Sequence, residues 1–171
     1  MARRTGTIGY PDEHAVEVAK CSLRIADELD VDQELRSAIA TGALLHDVGK
    51  LRIDQRILDK PGLLTPSERR EINKHPLEGA RIIALDVAPE IAEVVLTHHE
   101  RWDGTGYPAG LAGEEIPLPA RVVAVADAFL AMVEDRPYRE SRSHEAAIEE
   151  LRECAGAQFD PRCVDALLRA I

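Results

Sequence analysis

Leu118-Pro119-Ala120-Arg121-Val122-Val123-Ala124-Val125-Ala126-Asp127-Ala128-Phe129-Leu130 is the stretch with the best claim to β-structure in this chain. The β-branched run at 122–125 is short and lies inside an Ala-rich apolar segment, 118–134, that is too long for a strand. Read as a helix, it leaves no strand candidate, and the fold class becomes all-α, with about seven to nine helices. Upstream, the Gly- and Pro-rich residues 102–119 read as a loop. A helix over 89–100 turns Ile91, Val94, Val95 and His98 inward. Another starts at Pro76 and runs to 85. Thr65-Pro66-Ser67-Glu68 opens a helix with a capping box and a proline in its first turn. Residues 51–62 form a connection that ends in the turn-like Lys60-Pro61-Gly62. A helix over 32–48 places Leu35, Ile39, Gly42, Leu45 and His46 on its inner side and stops at Gly49. In the first helix, 11–29, one stripe carries His14, Val18, Cys21 and Ile25, with Ala15, Ala19, Ser22, Ala26 and Leu29 beside it. Downstream, helices over 143–154 and 161–170 complete the chain.

The chain has 171 residues, enough for one domain with one sizeable core. Residues 1–10 read as a loose lead-in, and the domain runs from 11 to 171. Lys and Arg total 21 against 31 Asp and Glu, a formal charge of −10, which argues against wrapping bulk nucleic acid. No stretch approaches the roughly 18 apolar residues of a membrane span. The start lacks the apolar run of a signal peptide. Three cysteines, Cys21, Cys154 and Cys163, without a CxxC pair, read as reduced thiols of a cytoplasmic protein.

Five of the six histidines, His14, His46, His75, His98 and His99, lie on or beside apolar helical faces; His144 opens a polar helix. One such histidine is ordinarily a satisfied core residue. Five need more polar partners than the surrounding Val, Leu, Ile and Ala supply, and a shared metal centre would satisfy them together. Asp47 follows His46, and Asp127 has no charged neighbour within two residues, so a buried carboxylate there needs a partner. His46-Asp47 and His98-His99 each set two side chains about 100° apart on a helix, which suits two ions or a frayed final turn.

His46-Asp47-Val48-Gly49-Lys50 resembles the HD phosphohydrolase signature. His98-His99-Glu100-Arg101-Trp102-Asp103-Gly104-Thr105-Gly106-Tyr107-Pro108 resembles that of the HD-GYP subgroup. Lys60-Pro61-Gly62, His75-Pro76, Arg136-Pro137-Tyr138-Arg139 and Phe159-Asp160-Pro161 extend the likeness over nearly all of residues 11–171. The resemblance implies a compact HD-domain helical bundle and a bacterial phosphodiesterase that hydrolyses cyclic di-GMP to pGpG or GMP. It places metal ligands on His14, His46, Asp47, His75, His98, His99 and Asp127. One ion would take His14, His46, Asp47 and Asp127, the other Asp47, His75, His98 and His99, with Asp47 bridging. Imidazole and carboxylate without thiolate suit iron or manganese first, then nickel, cobalt or zinc. Two divalent ions and two carboxylates sum to about +2, so an acidic protein can attract a phosphodiester. The implied chemistry is attack by a hydroxide bridging the two ions, with Asp47 and Lys50 as catalytic residues and Lys50, Tyr107, Arg136 and Arg139 contacting substrate.

Two positions depart from the family pattern. Leu130 stands where an Asp is usual, three residues after the last ligand, which puts affinity or specificity in doubt. Tyr10 stands where three-metal members carry a Glu, so two ions are expected here. The competing readings are a metal-retaining binding or scaffold module with little turnover, and a hydrolase of another cyclic dinucleotide. Receiver or sensor domains are the expected company if the chain is part of a longer protein.

Overall fold

Asp12 opens α1 (Glu13–Glu28) by accepting a hydrogen bond from the Ala15 N–H at 2.9 Å. A computed structural model of the protein describes residues 11–134 and 141–171. The expected lead-in over 1–10, Tyr10 with it, and Arg136 and Arg139 lie outside the described residues. After α1 come α2 (Gln33–Leu45), a 3₁₀ turn (Val48–Arg52), α3 (Gln55–Leu58), α4 (Pro66–Ile72), α5 (His75–Ile83) and α6 (Pro89–Thr97). A second 3₁₀ turn (Gly113–Glu115), α7 (Leu118–Val133), α8 (His144–Cys154) and α9 (Pro161–Ala170) follow. There is no strand among the described residues; Asp103–Ala112 and Ala155–Phe159 are isolated bridges.

The segment over 118–133 is a helix, as its alanines require, and it is the centre of the molecule. Val122, Val123, Val125 and Ala126 of α7 have no exposed surface. Around it α1 buries Val18, Cys21 and Ile25, α2 buries Ile39, α6 Val94, α8 Leu151 and α9 Val164 and Leu167. The buried residues of α1 follow the expected stripe one for one, apart from His14 at its open end and Leu29 beyond its last turn. Thr65 and Glu68 form the expected capping box on α4. A second cluster, Val48, Ile83 and Val95, joins the first 3₁₀ turn to α5 and α6.

Helix ends differ from the expected ones where the chain turns into the site. The second helix stops at Leu45, and the chain tightens into the 3₁₀ turn through Gly49 instead of ending there. The reason is contact: a Cβ at Gly49 would lie 1.9 Å from the His75 carbonyl oxygen and 2.5 Å from the Gly79 nitrogen. Only glycine lets this turn press against α5. The expected connection over 51–62 contains α3, capped by Asp54 accepting from the Arg56 N–H. The expected helix over 89–100 ends at Thr97.

Asp160, 2% exposed, caps α9 and pairs with Arg121 of α7 at 2.7 Å. Trp102 and Asp103 donate their backbone N–H groups to the Gln158 and Ala157 carbonyls at 3.1 and 2.8 Å. These contacts tether the start of the Gly-rich loop to the chain end that feeds α9. Among the described residues no helix is long and apolar enough to cross a membrane.

Candidate metal centre

His46 and His98 sit at the C-caps of α2 and α6, and His75 is the first residue of α5. All three rings are 1% exposed. Each Nδ1 lies against the carbonyl three residues back: Ala43 at 2.7 Å, Ile72 at 2.8 Å and Val95 at 2.8 Å. A carbonyl only accepts, so Nδ1 carries the proton and donates. That leaves Nε2 of the neutral ring with its lone pair free. His75 Nε2 and His98 Nε2 are 3.4 Å apart. His99 packs against both, with ring centroids 4.9 Å from His75 and 4.1 Å from His98.

Asp47 lies between two sets of imidazoles. Its Oδ1 is 3.3 Å from His75 Nε2, and its Oδ2 is 3.4 Å from His46 Nε2 and pairs with the Lys50 ammonium. On the far side of His46, Asp127 of α7 meets His14 of α1, Oδ1 to Nε2 at 2.9 Å, with His46 Nε2 4.0 Å away. Two groups result: Asp47, His75, His98 and His99, and His14, His46 and Asp127. Within each, the potential ligand atoms lie within 4.8 Å of one another. All seven residues expected as ligands from the sequence therefore converge, drawn from five helices and the turn after α2.

The donor set fits divalent transition metals. His46 Nε2 is buried and makes no hydrogen bond, a cost that coordination would remove. Burial holds His98 well below the ordinary imidazole range, aided by His99, His46 and His75. Burial, with His75 beside it, lowers His99 to about 4. Burial likewise lowers His75, against the pull of Asp47. These three rings are neutral at physiological pH, as ligation requires. Burial opposes the charged form of His46 as well, but Asp47 and Asp127 together outweigh it and raise the ring to about 9. His14 is raised by its hydrogen bond to Asp127, against burial. Burial opposes ionisation of Asp47 and Asp127, yet the neighbouring imidazoles hold both below the usual carboxylate range. Protons thus occupy the side of the site richest in carboxylate, where a cation would compete for the same charge. No thiol belongs to the set: Cys21 and Cys163 are buried in the core, and burial pushes them to about 11 and 12.

The Gly-rich loop closes over the group that contains His99. Tyr107 stacks on His99, centroids 5.0 Å apart and planes at 30°, and its N–H donates to the His99 carbonyl at 3.3 Å. Burial pushes the Tyr107 phenol to about 12, so it stays neutral. A Cβ at Gly106 would lie 2.3 Å from the Arg101 nitrogen, so the loop can fold back on the His pair only with glycine there. Leu130 packs against the main core cluster.

Three features were not identified from the sequence. Glu100, 4% exposed, accepts the backbone N–H groups of Ala109 at 2.7 Å and of Gly110 and Leu111 at 3.1 Å. An acidic residue between the His pair and the glycines was its visible signal. Glu134, at the end of α7, contacts His14 Nδ1 at 2.8 Å, 120 positions away, and had no signal. The carbonyls that set the three ring orientations belong to the backbone, so no residue type announces them.

A family profile described as HD domain matches residues 5–163. The chain is 43% identical over 159 residues to a cyclic di-GMP phosphodiesterase of Thermotoga maritima, covering 91% of this chain and 43% of that protein. It is 46% identical over 148 residues to the cyclic di-GMP phosphodiesterase response regulator RpfG of Xanthomonas campestris, covering 85% and 39%. The chain thus spans about two fifths of the length of these relatives. Among solved structures, Bd1817, an HD-GYP-type protein of Bdellovibrio bacteriovorus, superposes with a TM-score of 0.72 at 23% identity, over 90% of this chain and 50% of that one.

Proposed function

Since this chain belongs to the HD domain family, we propose that it is a metal-dependent phosphodiesterase that hydrolyses cyclic di-GMP. The observation that carries this reading is Asp47, whose two oxygens face separate imidazole groups at 3.3 and 3.4 Å. Asp47, His75, His98 and His99 would hold one divalent ion, and His14, His46, Asp127 and the second oxygen of Asp47 the other. Iron or manganese is the preferred pair, two ions rather than three. Bound there, the ions supply Lewis acidity and water acidified toward neutral pH for attack on phosphorus.

The chain's own groups bind and orient. Lys50 is 42% exposed on its side chain and carries the cation nearest Asp47, placed to meet a phosphate oxygen. Tyr107, neutral and stacked on His99, forms a wall for base or phosphate. Arg136 and Arg139 are assigned to the substrate on sequence grounds. Asp47 and Lys50 act at the reacting centre; the remaining groups position substrate. The domain proposed for this activity is residues 11–171, acting in the cytoplasm, with receiver or sensor domains as the expected company in a longer protein.

The test is turnover of cyclic di-GMP by protein purified without oxygen and loaded with iron(II) or manganese(II), with products separated by chromatography. Linear pGpG or GMP is the expected outcome. Binding without product would favour the scaffold reading, and faster turnover of another cyclic dinucleotide in the same panel would overturn the substrate.

A further inference from the structure

The buried histidines His46, His75 and His98 are each held by a carbonyl three residues earlier. His14, the second residue of α1, does not use this device. Its Nδ1 instead meets a carboxylate brought from the far end of α7, Glu134 Oε2 at 2.8 Å. On its other side, Nε2 meets Asp127 Oδ1 at 2.9 Å. Asp127 and Glu134 lie seven residues apart, two turns of helix, so both point from one face of α7 toward the opening of α1. One helix therefore grips both nitrogens of a single ring on another.

We propose that Glu134 is the positioning residue of His14: it holds the Nδ1 proton and turns Nε2 toward Asp127 and His46. The proposal rests on the reading of His14, His46 and Asp127 as a metal site. A carboxylate does more here than a carbonyl. It carries charge, so it makes the imidazole a stronger donor toward a cation at Nε2. His14 is also the most exposed of the rings that donate through Nδ1, with 20% side-chain exposure, and lacks the packing that fixes the other three. The ion position that includes His14 should therefore depend on Glu134, and the position built from Asp47, His75, His98 and His99 should not. Glu134 stands two residues before Arg136. It thus ties the chain entering the expected substrate-contact segment to the first ligand.

Two measurements on the intact chain separate this proposal from the metal reading. Nitrogen-15 spectra of chelator-treated protein should show a protected Nδ1–H signal for His14, as for His46, His75 and His98. In Glu134→Ala the His14 signal should vanish while the other three persist, and Glu134→Gln, which keeps an acceptor oxygen, should retain it. Survival of an unchanged His14 signal in Glu134→Ala would overturn the proposal whatever the metal chemistry. Titration with manganese(II), following free ion by electron paramagnetic resonance, should give two equivalents in the parent. In Glu134→Ala one of the two should weaken by about 10–100-fold, the usual effect of removing such a partner. Equal weakening of both, or of neither, would also overturn it. Failure of the parent to bind manganese would instead remove the metal reading, leaving the nitrogen-15 result to stand alone.

Discussion

Replacing Glu100 tests whether the Gly-rich loop is held by one buried carboxylate. Its oxygens accept three backbone N–H groups, from Ala109, Gly110 and Leu111, and its side chain is 4% exposed. Hydrogen bonds to a charged group contribute about 1.5–3 kcal/mol each. The simple sum overstates the loss in Glu100→Ala, because Ala109 and Gly110 are exposed and water can take over their N–H groups. Leu111 is half-buried, and its N–H is the one left stranded. We expect about 2–4 kcal/mol of destabilisation for Glu100→Ala and about 1–2 for Glu100→Gln, whose amide keeps one acceptor oxygen but turns a donor toward a donor. At about 2–4 °C per kcal/mol for a domain of this size, Glu100→Ala should melt roughly 4–16 °C below the parent, with Glu100→Gln between them. The assay is thermal unfolding read by far-ultraviolet circular dichroism, alongside fluorescence of Trp102, the only tryptophan in the chain, which sits at the start of the loop. Turnover should fall in both variants, because the same bonds hold Tyr107 over His99. If Glu100→Ala melts within about 1 °C of the parent, the loop is held by other contacts and the reasoning fails.

Asp47→Ala should lose bound metal and turnover together, read by elemental analysis and product chromatography; activity with a full metal complement would remove the bridging assignment. Gly49→Ala drives a methyl group into the His75 carbonyl, so about 3 kcal/mol or more of stability should go, with reduced metal content, and an unchanged urea midpoint would contradict the close approach. Burial raises the Cys21 and Cys163 thiols from the ordinary 9.0 to about 11 and 12. A raised thiol favours the folded state below its unfolded pKa, and that contribution is lost as pH climbs through the folded one. Stability should therefore fall from about pH 9 toward 11–12, and Cys163→Ala should flatten the decline in denaturant titrations across that range. At pH 8 native protein, half-buried Cys154 should react with a thiol reagent before the other two, and an equal rate for all three would deny their burial.

Lys50 shows how electrostatics at the site depends on what is bound. Its ammonium pairs with Asp47 Oδ2, the oxygen that also faces His46. A cation shared between those groups would compete with Lys50 for the same oxygen and free it to meet an incoming phosphate. Leu130 has a plain structural role, packing against the core from α7. Leu130 stands one turn beyond Asp127 on α7, so Leu130→Asp, which supplies the carboxylate the family pattern leads one to expect, tests that position's part in substrate preference in the same substrate panel.

Helical class, most element positions and the conspicuous histidines were legible in the residues because each depends on near neighbours, and the resemblance to a family pattern picked out the seven side chains that converge. The stripe through Val18, Cys21 and Ile25 is a 3.6-residue rhythm, the Thr65–Glu68 box spans four positions, and five histidines on apolar faces are conspicuous for their need of partners. What required the fold is whatever joins distant positions or belongs to the backbone. No local pattern reveals that Glu134 reaches His14 across 120 residues, or that Asp47 divides its two oxygens between His46 and His75. Nor does any residue type disclose the carbonyls of Ala43, Ile72 and Val95 that aim three rings inward. Side-chain chemistry is written one residue at a time, whereas direction is set by helices packing against one another, at points such as Gly49 where a single added carbon would hold them apart.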